Sequence, residues 1–199
     1  MTRKLICSLC VGLSAFAYQA SAQQAGDASD NTPYAGFESR EIKSLSQQDI
    51  EEIQRGEGWG LALPAELSGR PGPAHLLEHK DELGLSADQI AAIQSIYEQM
   101  LSEAIAAGSR FIAAEAALSK AFEDQGLSDS VLQELIDEAS AARAELRFVH
   151  LSRHLATPEL LTRQQIERYN VLRGYADDPC QNVPAGHNAE MWRRHNNCT

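Results

Sequence analysis

The sequence has little of what a β-rich, nucleic-acid-binding or catalytic protein needs. Aromatic residues make up only 6% of the 199 residues, and long β-branched runs are absent, which favours an all-α protein. Acidic residues outnumber basic ones by 28 to 17, and the net charge of −11 argues against nucleic acid and anionic membranes as partners. Neither G-x-S-x-G, HExxH nor a phosphate-binding loop is present, so an enzyme is not expected.

Only the start of the chain has a long apolar run. Arg3 and Lys4 precede the apolar segment Leu5 to Tyr18, and Ala20-Ser21-Ala22 is typical of a signal-peptide cleavage site. The run is shorter than the ~20 residues that a transmembrane helix needs. Residues 1–22 therefore predict a signal peptide, and a membrane anchor is the less favoured alternative. We expect the mature protein to be exported to the periplasm, soluble, with a net charge of −13.

Two long amphipathic segments dominate the rest of the chain. Apolar residues recur every three or four positions from Leu85 to Phe122 and again from Ser128 to about Ala156, as on one face of a helix. Gly126 lies between them, so the two helices should form an antiparallel hairpin. Gly108 should weaken the first helix by about 1 kcal/mol relative to Ala.

Shorter segments complete the predicted organisation. We expect residues 23–72 to form a flexible leader. It should contain a short helix from Ser44 to Arg55 and an irregular strap, rich in Gly and Pro, from Gly56 to Pro73. The strap either packs over the hairpin or is an exposed linker, and its apolar residues favour packing. Residues 73–175 form the helical domain, which adds short helices at Ala74–Leu83 and Thr162–Arg173. Residues 176–199 form a polar tail.

The same short motif opens two of these helices. Leu85-Ser86-Ala87-Asp88-Gln89 and Leu161-Thr162-Arg163-Gln164-Gln165 each place a Ser or Thr N-cap three residues before Gln, as in a capping box. Two such motifs behind a signal peptide resemble the periplasmic LTxxQ family, which includes Spy/CpxP-like chaperones, zinc-binding ZraP-like proteins and CnrX-like nickel/cobalt sensors. The resemblance covers about Pro73 to Tyr175. It implies a hooked antiparallel hairpin of about four helices, often a homodimer.

Four of the six histidines form two pairs at helical spacing. His75 and His79 are four residues apart, as are His150 and His154, so each pair can point two imidazoles at one metal ion. An antiparallel hairpin would bring the second pair back beside the first. The alternative is that the pairs are accidental and that His150 is a core-edge residue beside Val149.

The family resemblance suggests a ligand set for this site. CnrX-like sensors use HxxxH from the first helix, a carboxylate from the long helix and HxxxM from the third. His75, His79 and His150 match this pattern, whereas His154 stands where the family has Met. Glu98 is the predicted carboxylate, with Glu78, Glu82 and Glu103 as rivals. Replacing a thioether with imidazole gives a harder site that favours zinc, copper or nickel, and it puts the nickel/cobalt identity of such sensors in doubt. The predicted cofactor is therefore a divalent ion of zinc, nickel, cobalt or copper.

The tail contains the two cysteines that would survive signal cleavage. In an oxidising compartment Cys180 and Cys198 favour a disulfide. A copper or zinc site with His187, Met191 and His195 is a second interpretation, because these residues are also spaced by four.

The sequence therefore predicts an all-α, periplasmic, dimeric protein of the envelope or metal stress response that binds or senses a metal ion. A membrane-bound partner would detect the metal-bound form. The runner-up is a metal-independent chaperone or stress adaptor that binds unfolded clients. A structural helical domain whose histidines have no role is the third hypothesis. The acidic hairpin counts against a close copy of Spy, whose cradle is basic.

Overall fold

The computed structural model describes residues 33–123, 126–196 and 198, and the predicted signal peptide, residues 1–22, lies outside them. The chain divides into two compact units, and every helix of the described residues belongs to the second, Gly36–Thr199. Every regular element of these residues is helical, which confirms the all-α class. The helices are α1 (Gln47–Gln54), α2 (Leu63–Glu66), α3 (Pro73–Glu78), α4 (Ala87–Ala121), α5 (Asp129–Ala156), α6 (Arg163–Leu172) and α7 (Ala189–His195), with 3-10 turns at Phe37–Ser39 and Thr157–Leu160.

Helices α4 and α5 pack against each other more extensively than any other pair described. Arg110 of α4 binds Glu145 of α5 at 2.6 Å, and Glu103 of α4 binds Arg153 of α5. Residue numbers fall on α5 as they rise on α4, so the helices run in opposite directions where these pairs form. The observed bounds lie within two residues of those expected from the hydrophobic period.

Two hydrophobic clusters form the core. Each draws on residues distant in sequence, and α4 contributes to both. The first contains Ile42, Leu45, Ile53, Leu61, Met100, Ala104, Ala107, Phe111, Leu146 and Val149, and the second contains Leu76, Leu83, Ile93 and Tyr169.

Helix α1 begins later than the sequence suggested. It begins at Gln47 and not at Ser44, and Ser46 caps it: the Ser46 hydroxyl accepts from the Asp49 amide, and the Asp49 carboxylate accepts from the Ser46 amide. The reciprocal bonds satisfy two amides that the first turn would otherwise leave unpaired. Leu45 lies before the helix and is buried in the first cluster.

The strap between α1 and α3 is packed rather than exposed as a linker. Leu61 and Pro71 are buried, and the one-turn helix α2, which was not predicted from the sequence, buries Ala65 and Glu66. Trp59 donates its indole N–H to Asp49 at 2.8 Å and adopts a left-handed backbone conformation with φ 42°. The strap thus holds polar as well as apolar side chains against the helices.

Gly108 has a packing role that the sequence did not reveal. A Cβ there would lie 2.5 Å from Cγ2 of Ile53 and 3.0 Å from its carbonyl oxygen. The close approach of α1 to α4 therefore requires glycine.

We expect Gly108→Ala to destabilise the protein by about 1 kcal/mol, because overpacking of about 1–3 kcal/mol outweighs a helix-propensity gain of about 1 kcal/mol. Urea unfolding followed by circular dichroism measures this. Ala106→Gly, at an exposed position of the same helix, is the control for helix propensity alone. It should lower the free energy of unfolding by about 1 kcal/mol. A more stable Gly108→Ala protein would contradict the close approach.

The glutamines of the two repeated motifs bind each other. Gln89 and Gln165 each complete a capping box, and their amides exchange hydrogen bonds of 2.9 and 3.1 Å. Gln89 also donates to the Leu160 carbonyl at 2.8 Å. One side chain thus caps its own helix and joins the starts of α4 and α6.

Helix α3 ends earlier than expected. It stops at Glu78, and His79 has φ −102° and ψ 20°, outside the helical range. The following turns carry Leu83 into the second cluster and end at Gly84, which has a positive φ of 57°. Among the described residues, no helix combines the length and apolar character needed to cross a bilayer.

Candidate functional site

A cavity of about 340 Å³ opens between the strap, α3, α4 and α5. Apolar side chains such as Trp59 and Met100 form one part of its lining. Another part is polar and contains Glu66 with three of the four predicted histidines, His75, His150 and His154. His75, His150 and His154 therefore lie at one cavity, as expected if α5 returns beside the start of α4.

Glu66 is the centre of the polar part. It is only 7% exposed, and its two carboxylate oxygens have different partners. Oε1 lies 3.0 Å from Nδ1 of His75 and 3.7 Å from Nε2 of His154. Oε2 accepts hydrogen bonds from the hydroxyls of Tyr169 at 2.9 Å and Tyr175 at 3.3 Å. One carboxylate thus joins α2, α3, α5 and α6.

The surroundings keep Glu66 ionised although it is buried. Burial alone would raise its pKa, but the hydrogen bonds from His75 and Tyr169, together with the charges of His75 and His154, bring the pKa below its usual value. Burial, with the Glu66 charge as a second cause, raises the pKa of Tyr169. The phenol therefore stays protonated and donates to the carboxylate.

The orientation of His154 is fixed by the strap. Its Nδ1 lies 2.8 Å from the Arg70 carbonyl, and because a carbonyl only accepts, Nδ1 must donate. In the neutral ring Nε2 is then unprotonated, and its lone pair faces Glu66. Gly72 packs on the imidazole so closely that a Cβ would lie 2.5 Å from Cε1.

His150 is buried one turn before His154. It is 3% exposed, and its Nε2 atom has no hydrogen-bond partner. Burial lowers its pKa, and the nearby His154 lowers it further, so the ring is neutral at pH 7. An unpaired buried nitrogen is uncommon in native structures, and it makes His150 a candidate ligand.

Two of the predicted ligands lie elsewhere. His79 is the C-cap of α3: its amide donates to the His75 carbonyl at 3.1 Å, and its Nδ1 is 4.0 Å from Glu82. Glu98 is exposed on α4 and accepts a hydrogen bond from Gln94 at 2.8 Å. Neither residue lines the cavity, and Glu66 occupies the place that we had expected for Glu98.

The tail contains the expected disulfide between Cys180 and Cys198. His187 precedes α7, and its ring contacts Trp192 with a centroid distance of 5.0 Å. His187, Met191 and His195 therefore do not share one helical face, as a tail metal site would require.

Glu66, Tyr169 and Tyr175 were not predicted as site residues. The only available signal was an acidic residue inside the otherwise uncharged stretch from Gly58 to Gly69. The described residues contain no group of three or more His, Cys, Asp or Glu side chains already arranged to hold a metal ion. Small changes in the cluster would therefore have to accompany metal binding.

Comparison of the chain with protein-family models, curated proteins and solved structures gave no match.

Proposed function

We propose that this protein is an exported, periplasmic metal-binding sensor of the LTxxQ type, which takes up a divalent transition-metal ion at the histidine cluster. The observation that carries the proposal is that His75 and His154, 79 positions apart, reach the same oxygen of the buried Glu66. Buried charges in proteins are ordinarily paired or bound to metals. Linked capping boxes at Gln89 and Gln165 support the family assignment.

The donor atoms suit zinc, copper, nickel or cobalt. Metal–nitrogen bonds of about 2.0–2.1 Å in a tetrahedral site place neighbouring ligand atoms about 3.3 Å apart. The separations of 3.0 and 3.7 Å from Glu66 Oε1 lie on either side of this value. His75 donates from Nδ1 in the metal-free arrangement, and moving that proton to Nε2 would turn Nδ1 into a ligand.

Metal binding would change how the strap and α3 are held. Glu66 and His75 belong to these segments, whereas His150 and His154 belong to α5. An ion shared between them would fix the segments on the long helices, and a membrane-bound partner could respond to the changed surface. A hooked hairpin that pairs as a homodimer is part of this proposal.

The test is a thermal melt of the metal-stripped mature protein with Zn²⁺, Cu²⁺, Ni²⁺ or Co²⁺ at pH 7.5. A ligand at 100 times its Kd adds about 2.7 kcal/mol, which raises Tm by several degrees. We expect His154→Gln to abolish the rise and His195→Ala, in the exposed part of the tail, to leave it unchanged. No rise with any of the four ions would refute metal binding.

Exposed apolar side chains on α5 favour a second function, a metal-independent chaperone. Phe148 is 70% exposed and Leu155 is 61% exposed, and their seven-residue spacing places them on one side of the helix. Such residues can contact unfolded clients. If this function is correct, the metal-free protein should suppress aggregation of a denatured client, and Phe148→Ser should reduce the effect.

A further inference from the structure

Glu66 is built to present one oxygen to a cation. Oε2 is occupied by two phenol hydroxyls, so the carboxylate is oriented, and Oε1 is left facing the imidazoles of His75 and His154. No lysine or arginine of the described residues forms an ion pair with it within 4.0 Å. Arg173 lines the same cavity and interacts with the Glu66 charge without forming an ion pair, so direct compensation of the carboxylate has to come from the histidine side.

His154 compensates that charge only when its ring is protonated, the form whose charge lowers the pKa of Glu66, and in the neutral ring the facing atom cannot do so. Because Nδ1 carries the proton donated to Arg70, Nε2 presents a lone pair to Glu66 Oε1 at 3.7 Å. Two acceptors facing each other repel unless a proton or a metal ion lies between them. A backbone carbonyl that fixes the tautomer is also the usual support for a metal-binding histidine.

We propose that Glu66, rather than Glu98, is the charged ligand of the metal site. Oε1 would bind the ion together with His154 Nε2 and His75 Nδ1, and the unpaired Nε2 of His150 would supply the fourth donor. This inference rests on the proposed function and defines its ligand set as three nitrogens and one oxygen. Tyr169 and Tyr175 are positioning residues that orient the carboxylate through Oε2.

The occupant is a borderline divalent ion, because imidazole nitrogen suits zinc, copper and nickel, and the set contains no thiolate or thioether. Calcium and magnesium are excluded on the same chemistry, since these ions take oxygen ligands. The site differs from a surface pair of histidines because its charged ligand is buried. Removing that charge should therefore affect binding strongly.

The test compares Glu66→Gln with Glu98→Gln in the full mature chain, using chelator competition with Zn²⁺ and absorption spectra with Co²⁺. We expect Glu66→Gln to weaken Zn²⁺ binding at least 100-fold and to change the Co²⁺ bands, and Glu98→Gln to change neither. Tyr169→Phe should weaken binding about 10-fold to 100-fold, as loss of a residue that orients a ligand does. Calcium should not compete.

Several results would overturn the inference. If the wild type binds Zn²⁺ and Glu66→Gln binds equally well, or if Glu98→Gln is the variant that loses binding, the ligand assignment fails while the proposed function stands. If the wild type binds none of the ions, both fail. Should Glu66→Gln not fold by circular dichroism, Glu66→Asp replaces it, because the shorter side chain keeps the charge but withdraws Oε1 from the histidines. Unchanged affinity in that folded variant would equally refute the assignment.

Discussion

Replacing Tyr169 with alanine is expected to lower the free energy of unfolding by about 3–5 kcal/mol, the range for removing a large, fully buried aromatic side chain. Tyr169 is fully buried, belongs to the cluster of Leu76, Leu83 and Ile93, and donates its hydroxyl to Glu66. The change therefore opens a cavity and removes one partner of a buried charge. Urea unfolding of the metal-free protein measures the loss.

Tyr169→Phe separates these two contributions. It keeps the ring in the cluster and removes only the hydroxyl, so we expect a loss of about 1–3 kcal/mol, the usual cost of a hydrogen bond to a charged group. Tyr175 still donates to the same oxygen at 3.3 Å. Equal losses for the Ala and Phe variants would show that packing contributes little. A Tyr169→Ala protein as stable as wild type would contradict the burial of this residue.

The helices could be predicted because their signals are local. Repeated apolar spacing gave α4 and α5, and the capping residues Ser86, Ser128 and Thr162 stand at the expected helix starts. Of the apolar residues that recur along α4, Ile93, Met100, Ala104 and Phe111 are buried in the core, and most of the others are only partly buried. Ile105 is 39% exposed, because periodicity defines a face but not how much of it a partner covers.

The strap and the early end of α3 could not be derived in this way. No local signal shows that α2 forms one turn and buries Glu66, because the reason is tertiary: Tyr169 and His75 lie on other helices and bind its carboxylate. Likewise the spacing of His75 and His79 fits a helix, and the His79 amide does bond to the His75 carbonyl, but the backbone leaves the helix at His79 and this residue does not line the cavity. Local spacing cannot report such long-range constraints.

The histidine cluster was partly predictable, because part of its geometry follows from helical spacing. Spacing placed His150 and His154 on one side of α5, and the direction of the two long helices brought that end near α3. The family resemblance led us to expect the carboxylate on α4, at Glu98, whereas the buried carboxylate is that of Glu66 in the strap. The family resemblance begins at about Pro73. Glu66 lies before that point, in the strap, so the family pattern could not have pointed to it.

Gly72→Ala should test whether the strap holds the site together. A Cβ at residue 72 would lie 2.5 Å from Cε1 and 2.7 Å from Nε2 of His154, so the ring or the strap must move. Because His154 is buried and its Nδ1 is bound to Arg70, we expect a loss of about 1–3 kcal/mol in stability from overpacking. If the cluster binds metal, displacement of the ring should also lower Zn²⁺ affinity about 10-fold to 100-fold.

Gly58→Ala is the matched control, because it is the same change in the same strap and its Cβ would meet no atom within 4 Å. It should leave Zn²⁺ affinity unchanged and stability within about 0.5 kcal/mol of wild type. If both alanines weaken Zn²⁺ binding equally, general flexibility of the strap, rather than contact with His154, would be the cause. If Gly72→Ala alone does so, the backbone at Gly72 is part of what orients the imidazole, and the strap is a structural component of the metal site.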